Sequence, residues 1–167
     1  MAINIINKRI LKFGQIILIE FLYEEKKMIV YKTDINNLDW EKLVDLYDET
    51  DMFIGLGRKR DSEKIRRSVE NSYRVVTAWD SGKIVGAARM ISDGECYGWI
   101  HDMAVLETYR KQGIGRTIIE KLLEGNEKLL VGLTSSFEAV DFYTKLEFNK
   151  HKTAMAKYPG LSDYLEY

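Results

Sequence analysis

A glycine-containing loop with three basic residues is the part of the sequence best suited to chemistry. The loop spans residues 110–116 and contains Arg110, Lys111, Gly113, Gly115 and Arg116. Glycine allows the backbone to approach a ligand without interference from a Cβ atom. A helix is expected to begin at these glycines, and the free N–H groups of a first helical turn favour an anion. The sequence therefore predicts an anion-binding site here, which we call the anion loop.

The glycine spacing of the anion loop differs from that of two common phosphate-binding motifs. A Walker A loop places Gly-Lys-Ser/Thr after its glycines, whereas here Gly115 is followed by Arg116 and Thr117. A dinucleotide-binding fingerprint needs a third glycine, and the residue at that place is Ile118. Such a fingerprint also belongs early in a βαβ fold, whereas this loop lies late in the chain. An ordinary strand-to-helix connection stays open for this loop taken alone.

Hydrophobic spacing and turn residues predict the elements that position the loop. Strands are predicted over residues 28–33, 73–79, 83–91, 97–106, 128–133 and 148–158. Helices are predicted over 38–50, 61–71, 113–124 and 135–146. The order β-α-α-β-β-β-α-β-α-β describes a single α+β domain with a mixed, mostly antiparallel sheet flanked by helices.

Two of the predicted helices carry recognisable start signals. Asn36 or Asn37 is predicted to cap the first helix. Ser135 and Glu138 have the spacing of a capping box, which predicts the start of the last helix.

The composition excludes several classes of function. Lys and Arg number 25 and Asp and Glu number 26, so the net charge is −1. A general attraction to nucleic acid or to an anionic membrane is therefore not expected, and an anionic ligand needs a local cluster of charge. Cys96 is the single cysteine, which excludes an internal disulfide framework and favours a cytoplasmic location. With two histidines and one cysteine, no metal site is expected.

The length of 167 residues suits one domain, which we expect over residues 28–160. Residues 1–27 are interpreted as an N-terminal extension, whose apolar run is too short to span a bilayer. Met28 is a candidate for the natural start, and the alternative is an extra strand or helix packed on the core. Residues 161–167 form an apolar tail expected to pack on the core or on a second subunit.

Two sequence patterns, separated by a fixed distance along the chain, cover the anion loop and a segment downstream of it. Val105, Arg110, Gly113 and Gly115 match V-x-x-x-x-R-x-x-G-x-G, and residues 139–148 downstream follow the pattern A-x-x-[LF]-Y-x-x-x-G-F except at Glu147. Together with the element order, these patterns resemble the GNAT family, the Gcn5-related N-acetyltransferases, over residues 28–158. The resemblance implies acetyl-coenzyme A (acetyl-CoA) as co-substrate, with its pyrophosphate on the anion loop.

The resemblance also implies which residues hold acetyl-CoA. Its pantetheine arm would lie in a V-shaped opening between the strands predicted over 97–106 and 128–133, with its amides paired to the backbone near Val105. Ser135 or Ser136 would replace an asparagine that some family members use for the cofactor, or would cap the helix instead. The cofactor-binding residues implied in this way are Met103, Ala104, Val105, Arg110, Lys111, Gln112, Gly113, Ile114, Gly115, Arg116, Ser136 and Phe142.

The tyrosine of the second pattern matches Tyr143, and the resemblance implies that it is the general acid that protonates the leaving thiolate. A phenol with a pKa of about 10 stays protonated at neutral pH and can donate. The alternative is a core tyrosine, because Phe142 and Leu146 are its neighbours on the predicted helix.

The resemblance places a base, or its water, on the strand predicted over 97–106. Side chains alternate along a strand. One face is then predicted to carry Tyr97, Trp99, His101, Met103 and Val105. His101 accepts a proton near neutral pH and is the candidate base, with a water relay or Glu95 as alternatives. Asp102 is predicted on the opposite face as a structural partner, and a backbone N–H near residues 103–105 would stabilise the oxyanion.

One position departs from the family pattern. The glycine of its G-F pair is Glu147 here. If the helix end requires a positive φ, this residue carries strain of roughly 1 kcal/mol.

The expected function is transfer of an acetyl group from acetyl-CoA to the primary amine of a small molecule by direct attack in a ternary complex. The alternatives are acetylation of a protein lysine or N-terminus, and a catalytically silent acetyl-CoA-binding regulatory module. Basic residues at 58–60 and 66–67, with Arg74 and Arg89, would hold an acidic acceptor or form a solvated helix face. Family members are often dimers, so a homodimer is expected, with no nucleic-acid or membrane partner.

Overall fold

The computed structural model describes residues 7–13, 16–22, 28–52, 61–158, 160 and 162–166. The strands are β1 (Asn7–Phe13), β2 (Ile16–Leu22), β3 (Val30–Lys32), β4 (Arg74–Asp80), β5 (Lys83–Ser92), β6 (Tyr97–Val105) and β7 (Leu130–Leu133). The helices are α1 (Trp40–Glu49), α2 (Ser62–Glu70), α3 (Ile114–Leu123) and α4 (Val140–Thr144). Two 3₁₀ turns, Glu107–Tyr109 and Phe137–Ala139, precede α3 and α4.

The main sheet has five strands in the order β3-β4-β5-β6-β7. The first three pairings are antiparallel and the β6–β7 pairing is parallel. Strands β1 and β2 pair with each other in a separate antiparallel sheet. The mixed sheet with flanking helices confirms the predicted fold class.

Both faces of the central sheet are covered. Residues 84–90 of β5 are buried at every position, which an antiparallel strand with one solvated face would not be. Helix α3 packs on β4, β5 and β6, and α1 packs on β5 and β6. The apolar stripe of α3 lies in the core and consists of Ile114, Ile118, Ile119 and Leu122.

The predicted cap of the first helix was wrong by two or three residues. Asp39, rather than Asn36 or Asn37, caps α1 by accepting the Lys42 N–H at 3.3 Å. Asn37 instead has a φ of 56°, in the turn that precedes the helix.

The predicted capping box of the last helix was also wrong. The backbone carbonyl of Ser136 accepts the Ala139 N–H at 3.1 Å in a 3₁₀ turn, and α4 begins only at Val140. The tighter turn takes the place of the first α-helical turn, so Ser135 and Glu138 do not frame a helix start.

The strand predicted over residues 148–158 is not formed, although all of that stretch is described. Residues 149–157 are exposed at every position and include three lysines. The stretch therefore has no apolar face to bury against the sheet, and burial is what makes a short β-prone run a strand.

In the part of the chain that the structure describes, every helix is too short or too polar to cross a bilayer.

Candidate active site

Strands β6 and β7 separate part-way along their length. They pair from Tyr97–Leu130 to Ile100–Leu133, where β7 ends, whereas β6 continues to Val105. Residues 101–105 of β6 therefore present one backbone edge beyond the end of β7. Such an edge offers N–H and C=O groups to an extended ligand. The opening lies between the two strands named by the family resemblance.

A β-bulge in β6 overturns the predicted face assignment. Across the β5–β6 pair, Arg89 lies opposite His101 and Ala87 lies opposite Ala104, so two residues of β6 face one residue of β5. Asp102, the first of the two, has a φ of 53°. The extra residue reverses the alternation, so His101 and Val105 do not share a face.

The bulge places His101 and Val105 on opposite sides of the sheet, each facing a different helix. Directly opposite residues of an antiparallel pair point to the same side, so His101 lies on the side of Arg89 and Val105 on the side of Gly86. Arg89 donates to the Ser68 carbonyl of α2 at 3.3 Å. A Cβ atom on Gly86 would lie 3.0 Å from Cδ1 of Ile118 in α3. His101 therefore faces the α2 side and Val105 the α3 side.

The anion loop ends in the predicted helix start. Gly113 is the N-cap of α3 with a φ of 84°, and its carbonyl accepts the Thr117 N–H at 3.0 Å. The N–H groups of residues 114–116 precede this bond and point out of the helix end. Among the described residues, none outside its chain neighbours lies within 4 Å of a Cβ atom placed on Gly113. This geometry fits a phosphate group.

The basic and polar residues of the anion loop lie on its surface. Arg110, Lys111 and Gln112 are exposed. Nε of Arg110 donates to the Val105 carbonyl at 3.2 Å, which ties the loop to the end of β6. Arg116 lies 3.7 Å from Glu120 and donates to the Lys145 carbonyl at 3.3 Å. The loop thus joins β6 to the end of α4.

Three elements meet at Gly115. A Cβ atom on this residue would lie 3.1 Å from Cε of Met103 in β6 and 3.2 Å from Cζ of Phe142 in α4. The close approach explains the second glycine of the pattern, since any side chain would push these neighbours apart. Of the remaining cofactor candidates, Ala104 and Ile114 are buried and would offer only backbone groups to a ligand, and Ser136 is exposed.

Tyr143 lies in an aromatic cluster next to this junction. Only 8% of the residue is exposed, and Phe142 and Phe148 pack edge-on against its ring at centroid distances of 5.0 and 5.9 Å. Burial raises the pKa of Tyr143 to about 12. The hydroxyl is therefore protonated at neutral pH and available as a donor.

His101 is half-buried beside a buried ion pair. Burial lowers the pKa of His101, and the positive charge of Arg89 lowers it further, whereas Asp102 raises it. The lowered pKa favours the neutral imidazole at pH 7, which is the form that accepts a proton. Nε of Arg89 donates to the Asp102 carboxylate, and both side chains are less than a tenth exposed.

The arginines considered for an acidic acceptor have other partners. Nη1 of Arg74 donates to the last carbonyls of α3, at 3.2 Å for both Lys121 and Leu122. Arg66 and Arg67 pair along α2 with Glu70 and Glu63, as a solvated helix face does. Residues 58–60 lie outside the described residues.

Sequence reasoning missed the bulge and the Arg89–Asp102 pair. The one local hint is that aspartate tolerates a positive φ better than most residues. It also missed the environment of Trp99, which is 39% exposed and has its ring close to Gly132 of β7. A Cβ atom on Gly132 would be only 2.5 Å from a Trp99 ring carbon. The alternative base, Glu95, is exposed in the turn before β6.

Comparisons with known proteins agree with this geometry. A family model described as an acetyltransferase (GNAT) domain matches residues 71–150. The chain is 31% identical over 102 residues to glucosamine 6-phosphate N-acetyltransferase of Trypanosoma brucei brucei, covering 54% of this chain and 68% of that relative. This chain belongs to the GNAT family. Its GNAT domain is an acyl-CoA-dependent acetyltransferase domain, as the resemblance predicted.

Two further similarities concern the same domain. The chain is 30% identical over 129 residues to GCN5-related N-acetyltransferase 2, chloroplastic, of Arabidopsis thaliana, covering 63% of this chain and 50% of that relative. It thus spans half the length of that GNAT relative. A GNAT-family acetyltransferase structure from Streptococcus pneumoniae has the same fold, with a TM-score of 0.65 and 23% identity over 81% of this chain and 99% of that one.

Proposed function

We propose that this GNAT protein transfers an acetyl group from acetyl-CoA to the primary amine of a small molecule by direct attack. The packing at Gly115 carries the proposal. It brings the helix end that fits an anion against α4, where Phe142 is followed directly by Tyr143. The helix end that fits an anion thereby lies between Met103 of β6 and the helix that carries the buried Tyr143.

The residues present fit acetyl-CoA. The N–H groups of residues 114–116 suit its pyrophosphate, and Arg110, Lys111 and Arg116 add positive charge in a chain whose net charge is −1. The backbone edge of residues 101–105 suits the amides of the pantetheine arm. When bound there, the cofactor supplies the acetyl thioester.

The chain supplies the proton transfers. His101, neutral because of burial and the Arg89 charge, accepts a proton from the attacking amine. A backbone N–H in residues 103–105 stabilises the charge that develops on the carbonyl oxygen. The Tyr143 hydroxyl, which burial keeps protonated, would give a proton to the thiolate sulfur that leaves when the new C–N bond replaces the C–S bond.

The acceptor is proposed to reach the site from the α2 side of the sheet. His101 lies on that side and is the first residue of β6 beyond the end of its pairing with β7. Trp99, two residues before His101, has its ring close to Gly132 and pairs with Ile91, which is 45% exposed. These side chains offer an apolar surface beside the candidate base. The relative named for glucosamine 6-phosphate supports a small amine.

Isothermal calorimetry with acetyl-CoA, followed by a thiol-release assay over a panel of amines, tests the proposal. Glucosamine 6-phosphate, simple polyamines and a lysine-containing peptide represent the competing acceptor classes. Binding followed by thiol release with a small amine would support it. Release with the peptide alone would move the activity to protein substrates, and binding without release to any acceptor would favour a regulatory module.

Two further features belong to the same proposal. A cytoplasmic location is supported by Cys96, which is exposed and has a free thiol. A homodimer stays a prediction, and sedimentation analysis of the purified protein measures it directly.

A further inference from the structure

The bulge of β6 is built on a buried ion pair. Arg89 and Asp102 are 9% and 7% exposed at their side chains, and they bond through Nε and a carboxylate oxygen. Nη1 of Arg89 also donates to the Ser68 carbonyl at 3.3 Å and to the Ser72 hydroxyl at 3.4 Å. The guanidinium thus links the bulge to the end of α2.

The bulge needs such an anchor because Asp102 lies in the left-handed region, at a φ of 53°. This conformation is strained for an L-residue and unstrained for glycine. If Asp102 returned to an extended conformation, β6 would regain its alternation. His101 would then no longer face the side of Arg89 while Val105 faces the side of Gly86.

We propose that Arg89 and Asp102 are positioning residues, which fix the bulge and thereby place the His101 side chain and the backbone edge of residues 101–105 for acetyl transfer. This inference rests on the proposed function for its catalytic consequence. The dependence of the bulge on this ion pair does not rest on the proposed function.

A different role for the pair would be purely electrostatic. Arg89 and Asp102 act on the pKa of His101 in opposite directions, and the charges of both residues also reach Tyr47 of α1. An electrostatic role depends on the charges alone. A positioning role depends on whether residue 102 can adopt a positive φ. The two roles can therefore be separated by variants with equal charge.

The matched variants are Arg89→Met/Asp102→Gly and Arg89→Met/Asp102→Ala. Both remove both charges, so neither leaves a buried ion without its partner. They differ in one methyl group, which penalises a positive φ only in the alanine variant. Calorimetry with acetyl-CoA measures binding to the backbone edge of residues 101–105. The amide chemical shifts of the same residues report the bulge without any ligand. Circular dichroism confirms folding.

We expect the glycine variant to keep the amide pattern of residues 101–105 and to bind acetyl-CoA on the order of tenfold more tightly than the alanine variant. The alanine variant should lose the wild-type amide pattern of residues 101–105. A wild-type amide pattern and wild-type affinity in the alanine variant would overturn the proposal, because the bulge would then form without its anchor.

The same variants separate this inference from the proposed function. If the wild-type protein does not bind acetyl-CoA, the proposed function fails, and the amide spectra still decide whether the pair fixes the bulge. If the alanine variant does not fold, Arg89→Met/Asp102→Asn and Arg89→Met/Asp102→Ser replace the pair of variants. Both remove both charges and carry a short polar side chain, but asparagine tolerates a positive φ better. Higher affinity with asparagine supports positioning, and wild-type affinity with serine contradicts it.

Discussion

The anion loop and the two candidate proton-transfer residues are built in different ways. The loop works through its backbone, with Gly113 at a φ of 84° and N–H groups pointing out of α3. Tyr143 and His101 depend on side chains whose pKa values are set by burial and by neighbours. A site made of backbone groups can be recognised in the sequence by its glycines. The environment that shifts the pKa of a side chain forms only when distant parts of the chain pack together.

The largest expected effect comes from changing the anion loop, which would bind its ligand through backbone groups. Gly113→Glu should weaken acetyl-CoA binding by about a hundredfold or more, because it adds a negative charge where the anion would lie. Gly113→Ala is the control. Its Cβ meets open space, so it should lose only about tenfold, from the positive φ. Equal losses in calorimetry would mean that the charge at this helix end is irrelevant.

Changing a proton-transfer residue should spare binding. Tyr143→Phe keeps the ring between Phe142 and Phe148 but removes the donor, so kcat should fall about a hundredfold with acetyl-CoA affinity unchanged. Steady-state kinetics and calorimetry on the same protein measure both quantities. Unchanged turnover would remove Tyr143 from the mechanism.

The pH dependence tests the second proton-transfer residue. His101 must be neutral to accept a proton, and its pKa is held below the ordinary 6.5 by burial and by Arg89. The rate constant kcat/KM should therefore be full above pH 6.5 and fall as the pH drops through the lowered pKa. His101→Ala should reduce the rate and abolish this acidic limb. His151→Ala, at the exposed second histidine, is the matched control and should keep it. An acidic limb retained in His101→Ala would exclude His101 as the base.

The smallest effect is expected where neither binding nor chemistry is involved. Glu147 follows α4 with a φ of 67°, and the Phe148 N–H bonds to the Tyr143 carbonyl at 3.1 Å. Glu147→Gly should stabilise the protein by about 1 kcal/mol without changing acetyl-CoA affinity. Urea unfolding measures the gain, and a loss of stability would show that this helix end does not strain glutamate.

The sequence predicted those features that depend on local spacing. The start of α3 at Gly113 follows from the glycine pattern, and the strain at Glu147 follows from its departure from that pattern. The cap at Asp39 was missed because asparagine and aspartate are nearly equal as caps, so the final choice depends on where the first buried turn falls. The short α4 was missed because a 3₁₀ turn and an α-helical turn share the same start signals.

The bulge at Asp102 could not be predicted for a different reason. Period-two alternation is a property of one strand, whereas a bulge is defined only by the partner strand. Arg89 lies opposite His101 because of the register between β5 and β6. Trp99 lies next to Gly132 because of the pairing between β6 and β7. These contacts join residues distant in sequence, for which a single chain gives no pattern.

The short parallel pairing of β7 has a kinetic consequence. This edge strand pairs with β6 over four residues, from Tyr97–Leu130 to Ile100–Leu133, and Leu130 is 55% exposed. Amide hydrogens of β7 should therefore exchange with solvent through local opening, far faster than those of buried β5. A ligand held between β6 and β7 would be expected to slow this exchange. Protection of β7 that rises with acetyl-CoA, while that of β5 stays constant, would identify β7 as the element that opens for the cofactor.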